Sequence, residues 1–142
     1  MSIARVTIHT DGASRGNPGP AAIGATIHDD RGNPLAQISR RIGIATNNQA
    51  EYMAVIASLE KAIGLGATQV TLLSDSELVV NQLKGRYKVK NAALRHLYQE
   101  IVRLTGRLET FTASTVPRGE NAAADALANR ALDGLPDLEQ PG

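Results

Sequence analysis

Four carboxylic acids stand at positions where an acid is locally out of place. Asp11 and Asp75 follow the strand-like runs RVTIHT and VTLLS, whereas Glu51 and Asp125 fall on the sides of helical patterns that should face the core. An unpaired carboxylate is costly to bury, and a cation removes that cost. The four acids therefore predict a binding site for divalent metal.

Oxygen ligands favour Mg²⁺, which takes few protein carboxylates and keeps several waters, so four acids can serve two ions. Two such ions about 4 Å apart can hold the attacking and leaving oxygens of a phosphoryl displacement. Each acid also has a structural alternative: Asp11 in a turn, Glu51 at a helix dipole, Asp75 as a helix cap, and Asp125 paired with Arg130. The combination favours metal, because like charges on neighbouring strands repel without a cation.

The elements that must position these acids follow from hydrophobic periodicity. A strand over residues 3–10 is expected to end at Asp11, and AIGATIH and LAQISRRIG complete an antiparallel meander. The remaining predicted elements are a helix over 46–65 capped by Thr46 or Asn47, the strand VTLLS, helices over 76–84 and 91–104, the strand ETFTASTV, and a last helix through Leu132.

This order predicts an α/β fold: a mixed five-stranded sheet, with an antiparallel meander and parallel strands, covered by helices on both faces. Asp11 and Asp75 would project from the carboxyl ends of two parallel strands, where ligands bind in such sheets. We expect one domain over residues 1–134 and a loosely ordered tail over 135–142, which contains two prolines.

Composition excludes several classes of protein. The 142 residues are 42% apolar, enough for one core, and a net charge of +1 argues against wholesale electrostatic attachment to nucleic acid or membrane. The absence of cysteine rules out disulfides and thiolate zinc sites. No apolar run approaches the roughly 20 residues that cross a bilayer, so a cytoplasmic protein is expected. Only 3% of residues are aromatic, which disfavours single-strand binding by base stacking.

Four blocks in order, TDGASRGNPGP, TNNQAEYMAVIASL, LLSDSELVVNQLKG and ENAAADALAN, resemble the signatures of type 1 ribonuclease H over about residues 3–132. The resemblance implies a ribonuclease H-like fold and endonucleolytic hydrolysis of the RNA strand of an RNA–DNA hybrid, giving 5′-phosphate and 3′-hydroxyl products. It also implies two Mg²⁺ ions, with Mn²⁺ as a substitute: Asp11 bridges them, Asp125 serves the ion that activates water, and Glu51 and Asp75 serve the leaving side. Nothing in the sequence indicates an obligate protein partner, so a monomer is expected.

The chain departs from many members of the family in the loop before the last acid, where Arg118 stands in place of a mobile histidine. This is similar to a subgroup with arginine at that place. Arg118 is expected to assist substrate phosphate or product release, and the alternative is a solvated loop charge. Glu120 either shares this role or stabilises the N-terminus of the following helix.

Shape, phosphates and 2′-hydroxyls are the features by which proteins recognise A-form duplexes. By the resemblance, the loop after Asp11 approaches the RNA sugars, and Thr46 binds a DNA phosphate. The resemblance also implies that Asn47, Asn48 and Glu51 meet 2′-hydroxyls. The predicted substrate-binding residues are Gly12, Ala13, Ser14, Asn17, Thr46, Asn47, Asn48, Ser76 and Glu120.

Two basic regions have open interpretations. The family often has a basic residue two positions before the threonine, but this chain has Ile44, for which Arg40 or Arg41 could substitute. The basic cluster, residues 84–90, could hold a phosphate backbone or be a solvated surface.

Two other functions compete with hybrid hydrolysis. The same fold and metals could cut DNA, as in related nucleases or resolvases, but Asn47 and Asn48 favour a substrate with 2′-hydroxyls. A non-enzymatic hybrid-binding module would be expected to lack at least one of the four acids, and all four are present.

Overall fold

The computed structural model describes residues 4–141, so Ile3, the predicted start of the first strand, and Gly142, the last residue of the predicted tail, lie outside the described residues. Within that range one sheet has six strands in the order β5-β4-β1-β2-β3-β6. They are β1 Arg5–Ser14, β2 Gly19–Asp29, β3 Pro34–Ala45, β4 Gln69–Ser74, β5 Thr110–Thr115 and β6 Leu138–Pro141.

The strand pairing matches the predicted mixture. Strands β1, β2 and β3 form an antiparallel meander, whereas β4 pairs in parallel with both β1 and β5. The carboxyl ends of β1, β4 and β5 therefore meet at one edge of the sheet. This is the edge at which Asp11 and Asp75 were expected.

The helices were predicted to within about two residues. They are α1 Asn47–Gly64, α2 Glu77–Leu83, α3 Ala92–Thr105 and α4 Ala122–Leu132, the last preceded by a 3₁₀ turn over Arg118–Asn121. Thr46 begins α1 as predicted: the Gln49 N–H donates to Thr46 Oγ1 at 3.1 Å, and the Thr46 N–H donates to Gln49 Oε1 at 2.8 Å. Among the described residues, no helix has the length and apolarity that crossing a bilayer requires.

The helices cover both faces of the sheet, as predicted. Val6 and Ile8 of β1 are fully buried in one hydrophobic cluster with Val55 and Leu59 of α1. The alternate residues of β1 and β2 face α4 on the opposite side. Glu51 and Asp125 thus approach the sheet edge from opposite faces.

Strand β1 does not end at Asp11 but continues to Ser14, so that prediction is wrong. Its pairing with β4 stops at His9 and Leu73, while its pairing with β2 goes on as far as Ser14 opposite Ala21. The antiparallel neighbour keeps β1 extended after the parallel neighbour has separated. A fork consequently opens between β1 and β4 at Asp11.

The prediction of five strands is also wrong, because a sixth strand, β6, lies within the predicted tail and pairs antiparallel with the edge of β3. Arg40 forms an ion pair with Glu139, and the Arg41 N–H donates to Asp137 Oδ1 at 3.2 Å. This short strand is held by main-chain pairing and by charged side chains at the sheet edge. Its sequence, LEQP, has no alternation of apolar residues from which a strand could be predicted. The domain boundary at residue 134 stays a prediction.

Candidate active site

The fork between β1 and β4 opens into a cleft of about 880 Å³. Residues of β1, α1, α4, the start of α2 and the segment after β5 form its walls. Of the predicted site residues, the cleft brings together Asp11, Gly12, Ala13, Asn47, Asn48, Glu51, Asp75, Ser76, Arg118 and Asp125.

Three of the four acids form a compact group. One carboxylate oxygen from each of Asp11, Glu51 and Asp75 lies within 4.8 Å of the other two. Asp11 projects from β1, Glu51 from the second turn of α1, and Asp75 directly follows β4. The sheet edge and one helix thus converge on a single point.

Gly12 allows Glu51 to reach this point. A Cβ on Gly12 would lie 2.2 Å from the carbonyl carbon of Ala50, so any side chain here would push α1 away from β1. The backbone N–H of Gly12 also donates a hydrogen bond to Glu51 Oε1. Close backbone contact and a fixed carboxylate therefore come from the same residue.

Asp125 reaches the group from α4, on the other face of the sheet. Its carboxyl group is close enough to Asp11 to raise the pKa of that acid, but it is not part of the compact trio. Asp11 is thus the acid shared between the trio and Asp125. These four side chains are called the acidic cluster below.

The electrostatics of the acidic cluster favour cation binding. Burial, the neighbouring carboxyl group of Asp125 and the nearby charge of Asp75 raise the pKa of Asp11 to about 7. Burial and the charge of Asp11 raise the pKa of Glu51 to about 8, against the opposing hydrogen bond from Gly12. None of the three ion pairs found within residues 4–141 includes these acids. The all-oxygen donor set fits Mg²⁺ or Mn²⁺.

The structural alternatives for two of the acids fail. The cap of α2 is Ser76, whose Oγ accepts from the Val79 N–H at 3.3 Å, and not Asp75. Arg130, the partner considered for Asp125, donates instead to the Pro136 carbonyl.

Some predicted substrate-binding residues lie beside the cleft and organise its wall. The Ser14 N–H donates to Asn47 Oδ1 at 2.9 Å, and the Asn47 N–H donates to Asn17 Oδ1 at 3.0 Å. Asn17 and Thr46 border an adjoining cavity of about 470 Å³, which Asn47 and Asn48 also line. Ser14 lines neither space and instead donates from Oγ to the Ala45 carbonyl at 2.8 Å.

Arg118 and Glu120 are two positions apart in the sequence, but only Arg118 lines the cleft. Arg118 is exposed on the cleft wall, whereas Glu120 is exposed outside it. The charge of Glu120 acts on His9, whose pKa is nevertheless lowered, chiefly by burial and also by His28. The predicted substrate roles of both residues stay predictions.

The basic regions lie apart from the acidic cluster. Tyr87 and Lys88 line a separate cavity of about 440 Å³ with Arg95 and Tyr98. Arg40, considered as a substitute for the missing basic residue at Ile44, is engaged by Glu139.

The cleft also contains residues that sequence reasoning missed: Glu77 in the first turn of α2, and Thr115, Val116 and Pro117 at the end of β5. The signal for the latter was present, because the carboxyl end of a parallel strand belongs to the ligand-binding edge of its sheet. Glu77 offered a weaker signal, since acids are common in first helical turns.

The chain is similar in sequence to a known family and to known proteins. The Reverse transcriptase-like family model matches residues 9–131. The "Bifunctional protein Rv2228c" of Mycobacterium tuberculosis is 47% identical over 130 residues, which are 91% of this chain and 36% of that protein. The chain therefore spans about a third of that relative's length.

Two solved structures are similar over nearly their whole length. The RNase H1 of the archaeon Halobacterium salinarum NRC-1 superposes with a TM-score of 0.89 at 45% identity, covering 92% of this chain and 98% of that one. LC11-RNase H1, isolated from compost and solved in complex with an RNA/DNA hybrid, has a TM-score of 0.86 at 42% identity, covering 90% and 96% of the two chains.

Proposed function

Because the chain belongs to the ribonuclease H family, we propose that it hydrolyses the RNA strand of RNA–DNA hybrids with the help of divalent metal ions. The observation that carries the proposal is the convergence of carboxylate oxygens from Asp11, Glu51 and Asp75 within 4.8 Å at an open cleft. Such a cleft is accessible to a polymer. None of the ion pairs found within residues 4–141 neutralises its acids.

The acidic cluster would hold two Mg²⁺ ions, for which Mn²⁺ can substitute, with Asp11 as the shared ligand. When bound, the metal supplies an activated water and stabilises the departing 3′ oxygen, so that 5′-phosphate and 3′-hydroxyl ends result. Because the pKa values of Asp11 and Glu51 are raised, metal would bind in competition with protons at these carboxyl groups. No side-chain nucleophile is required.

The wall of the cleft beside the acids would select the RNA strand. Asn17 Oδ1 accepts from the Asn47 backbone N–H, and the Ser14 N–H donates to Asn47 Oδ1, so the side-chain N–H₂ of Asn47 would be oriented before substrate arrives. An amide can donate to a 2′-hydroxyl, which DNA lacks. Asn48, Gly12 and Ala13 line the same wall and would follow the RNA sugars and phosphates.

Residues further from the acids would complete the grip on the duplex. Thr46, at the adjoining cavity, would contact a phosphate of the DNA strand. Asn17, in the loop after Asp11, and Ser76, beside Asp75, would contact the RNA strand. Arg118 would attract the scissile phosphate or aid product release, with Glu120 beside that loop. The protein would act on the hybrid as a monomer.

The experiment that tests this function is cleavage of an end-labelled RNA–DNA hybrid beside duplex DNA and duplex RNA of the same sequence, with Mg²⁺ and with EDTA. We expect metal-dependent loss of the hybrid's RNA strand alone. Cleavage of the duplex DNA would make the protein a DNA nuclease of the same fold, and binding of the hybrid without cleavage would make it a binding module.

A further inference from the structure

Three residues form a row across the sheet beneath α4. Asp11 of β1 pairs with Gly24 of β2, and Gly24 pairs with Ser39 of β3. Residues that are paired in this way point to the same face of a sheet. The side chain of Ser39 and the open space above Gly24 therefore lie on the face from which Asp11 meets Asp125.

Gly24 lets α4 rest directly on the sheet. A Cβ at this position would lie 2.1 Å from the carbonyl oxygen of Ala124 and 2.5 Å from the nitrogen of Ala128. Real Cβ atoms do not approach backbone atoms so closely, so an alanine at position 24 would force α4 outward. Ala124 immediately precedes Asp125, so this contact is next to the acid that α4 brings to the acidic cluster.

Ser39 ties the same helix to the sheet. It is fully buried, and its Oγ donates to the carbonyl oxygen of Leu127 at 2.6 Å. At the start of the helix, buried Asn121 donates from Nδ2 to the Thr10 carbonyl at 2.8 Å. Asp125 lies between these two attachment points.

We propose that Gly24 and Ser39, the α4 seat, are positioning residues that set the distance of Asp125 from Asp11 and hence the part of the metal site that these two acids share. The inference rests on the proposed function. The trio of Asp11, Glu51 and Asp75 depends instead on the fork and on Gly12. A change in the α4 seat should therefore disturb Asp125 and leave the trio in place.

The test compares Ser39→Ala with Ser58→Ala, a matched control. Both serines are fully buried, and each donates to a helix carbonyl, but Ser58 Oγ bonds to Val55 at 3.0 Å within its own helix. Losing the Ser58 bond leaves the contact between helix and sheet intact. Any general effect of deleting a buried hydroxyl is thus present in both variants.

We expect Ser39→Ala to raise the Mg²⁺ concentration for half-maximal cleavage several-fold and to lower kcat about tenfold, with the KM for hybrid unchanged. Ser58→Ala should show neither shift. Gly24→Ala should move the same quantities further, and if it does not fold, Ser39→Ala still decides the matter. Equal metal requirements in Ser39→Ala and Ser58→Ala would overturn the proposal.

Crystal structures of wild type and Ser39→Ala in Mn²⁺ give a readout that does not depend on activity. The carboxylate of Asp125 should lie further from Asp11 by about 0.5 Å or more, the tolerance within which catalytic groups must be held, while the trio is unchanged. An unmoved Asp125 would also overturn the proposal. A wild type that cleaves no hybrid would refute the proposed function, but this structural comparison would still decide the role of the α4 seat.

Discussion

Acids occur in two contrasting settings in this molecule. On the surface, Asp133 after α4 pairs with Arg15, and Glu139 of β6 pairs with Arg40 of β3; both acid side chains are about half exposed. In the acidic cluster, Asp11 is 7% exposed and Glu51 9% exposed, and no arginine or lysine within residues 4–141 pairs with them.

The difference separates acids that serve the fold from acids that do not. Exposed ion pairs contribute roughly 0–1 kcal/mol each, and they need nothing from outside the chain. Buried acids that repel one another destabilise the folded state until protons or cations neutralise them. Groups placed against stability in this way are common at functional sites, and here they support the proposed metal site.

The contrast predicts the largest effect for Asp75→Asn. Removing one charge from the trio should lower hybrid cleavage about 10²- to 10³-fold, the range typical for losing one electrostatic contact to the transition state. The fold should survive, because Asp75 follows β4 without capping α2. Initial cleavage rates at saturating Mg²⁺, together with thermal unfolding curves, measure both.

Glu139→Gln is the control, since it removes a carboxylate of the other setting. We expect its cleavage rate to match that of wild type. If Asp75→Asn kept full activity, Asp75 would not be a metal ligand, and the contrast between the two settings would lose its functional meaning.

A second prediction concerns stability against pH without metal. The folded-state pKa of Asp11, about 7, exceeds its ordinary value of 3.8, so the folded protein holds this proton more tightly than the unfolded chain does. The contribution to stability is therefore complete below about pH 4 and is lost as pH rises towards 7. In EDTA, Asp11→Asn should gain stability relative to wild type across this window, on the order of 2 kcal/mol.

Chemical denaturation at several pH values measures this difference. Adding Mg²⁺ at pH 8 should then stabilise wild type by mass action and have little effect on Asp11→Asn. If the stabilities of the two proteins in EDTA changed with pH in the same way, the pKa of Asp11 would not be raised in the folded state. The electrostatic argument for a cation would then be lost.

Much of this arrangement was predictable from local pattern. The spacing of Val55 and Leu59 places Glu51 on the buried side of α1, and the run VTLLS places Asp75 at a strand end. Periods of 3.6 and 2 carry such information within one element. The four helices and the acidic cluster both follow from it.

What depends on register between distant segments was not predictable. Gly24 in AIGATIH looks like any glycine in a strand, and its contact with Ala124 exists only once α4 has docked. The pairing of Ser39 with Gly24 also joins strands whose register the sequence does not state. Strand β6 was missed for the same reason, because it forms by pairing with the edge of β3, which is distant in the sequence.

The smallest effect is expected from Arg118→Ala. This variant extends the comparison from acids to arginines, since some arginines form ion pairs within the described residues and Arg118 does not. Arg15 and Arg40 are engaged by acids, whereas Arg118 is exposed on the cleft wall and joins none of the ion pairs found in residues 4–141. An uncommitted guanidinium can bind phosphate through two parallel hydrogen bonds. We expect the cleavage rate to fall about tenfold, equivalent to about 1.4 kcal/mol. The Mg²⁺ requirement should be unchanged, because Arg118 is not a metal ligand.

Arg15→Ala makes the same change of charge outside the cleft, and its cleavage rate should equal that of wild type. Arg118→Lys should recover only part of the loss, because an ammonium group keeps the charge but not the planar fork. Single-turnover rates of these variants on one hybrid rank them without interference from product release, and multiple-turnover rates then report on release. If Arg118→Ala matched Arg15→Ala in both regimes, Arg118 would be a solvated loop charge, and the cleft would handle phosphate through its metal ions and backbone alone.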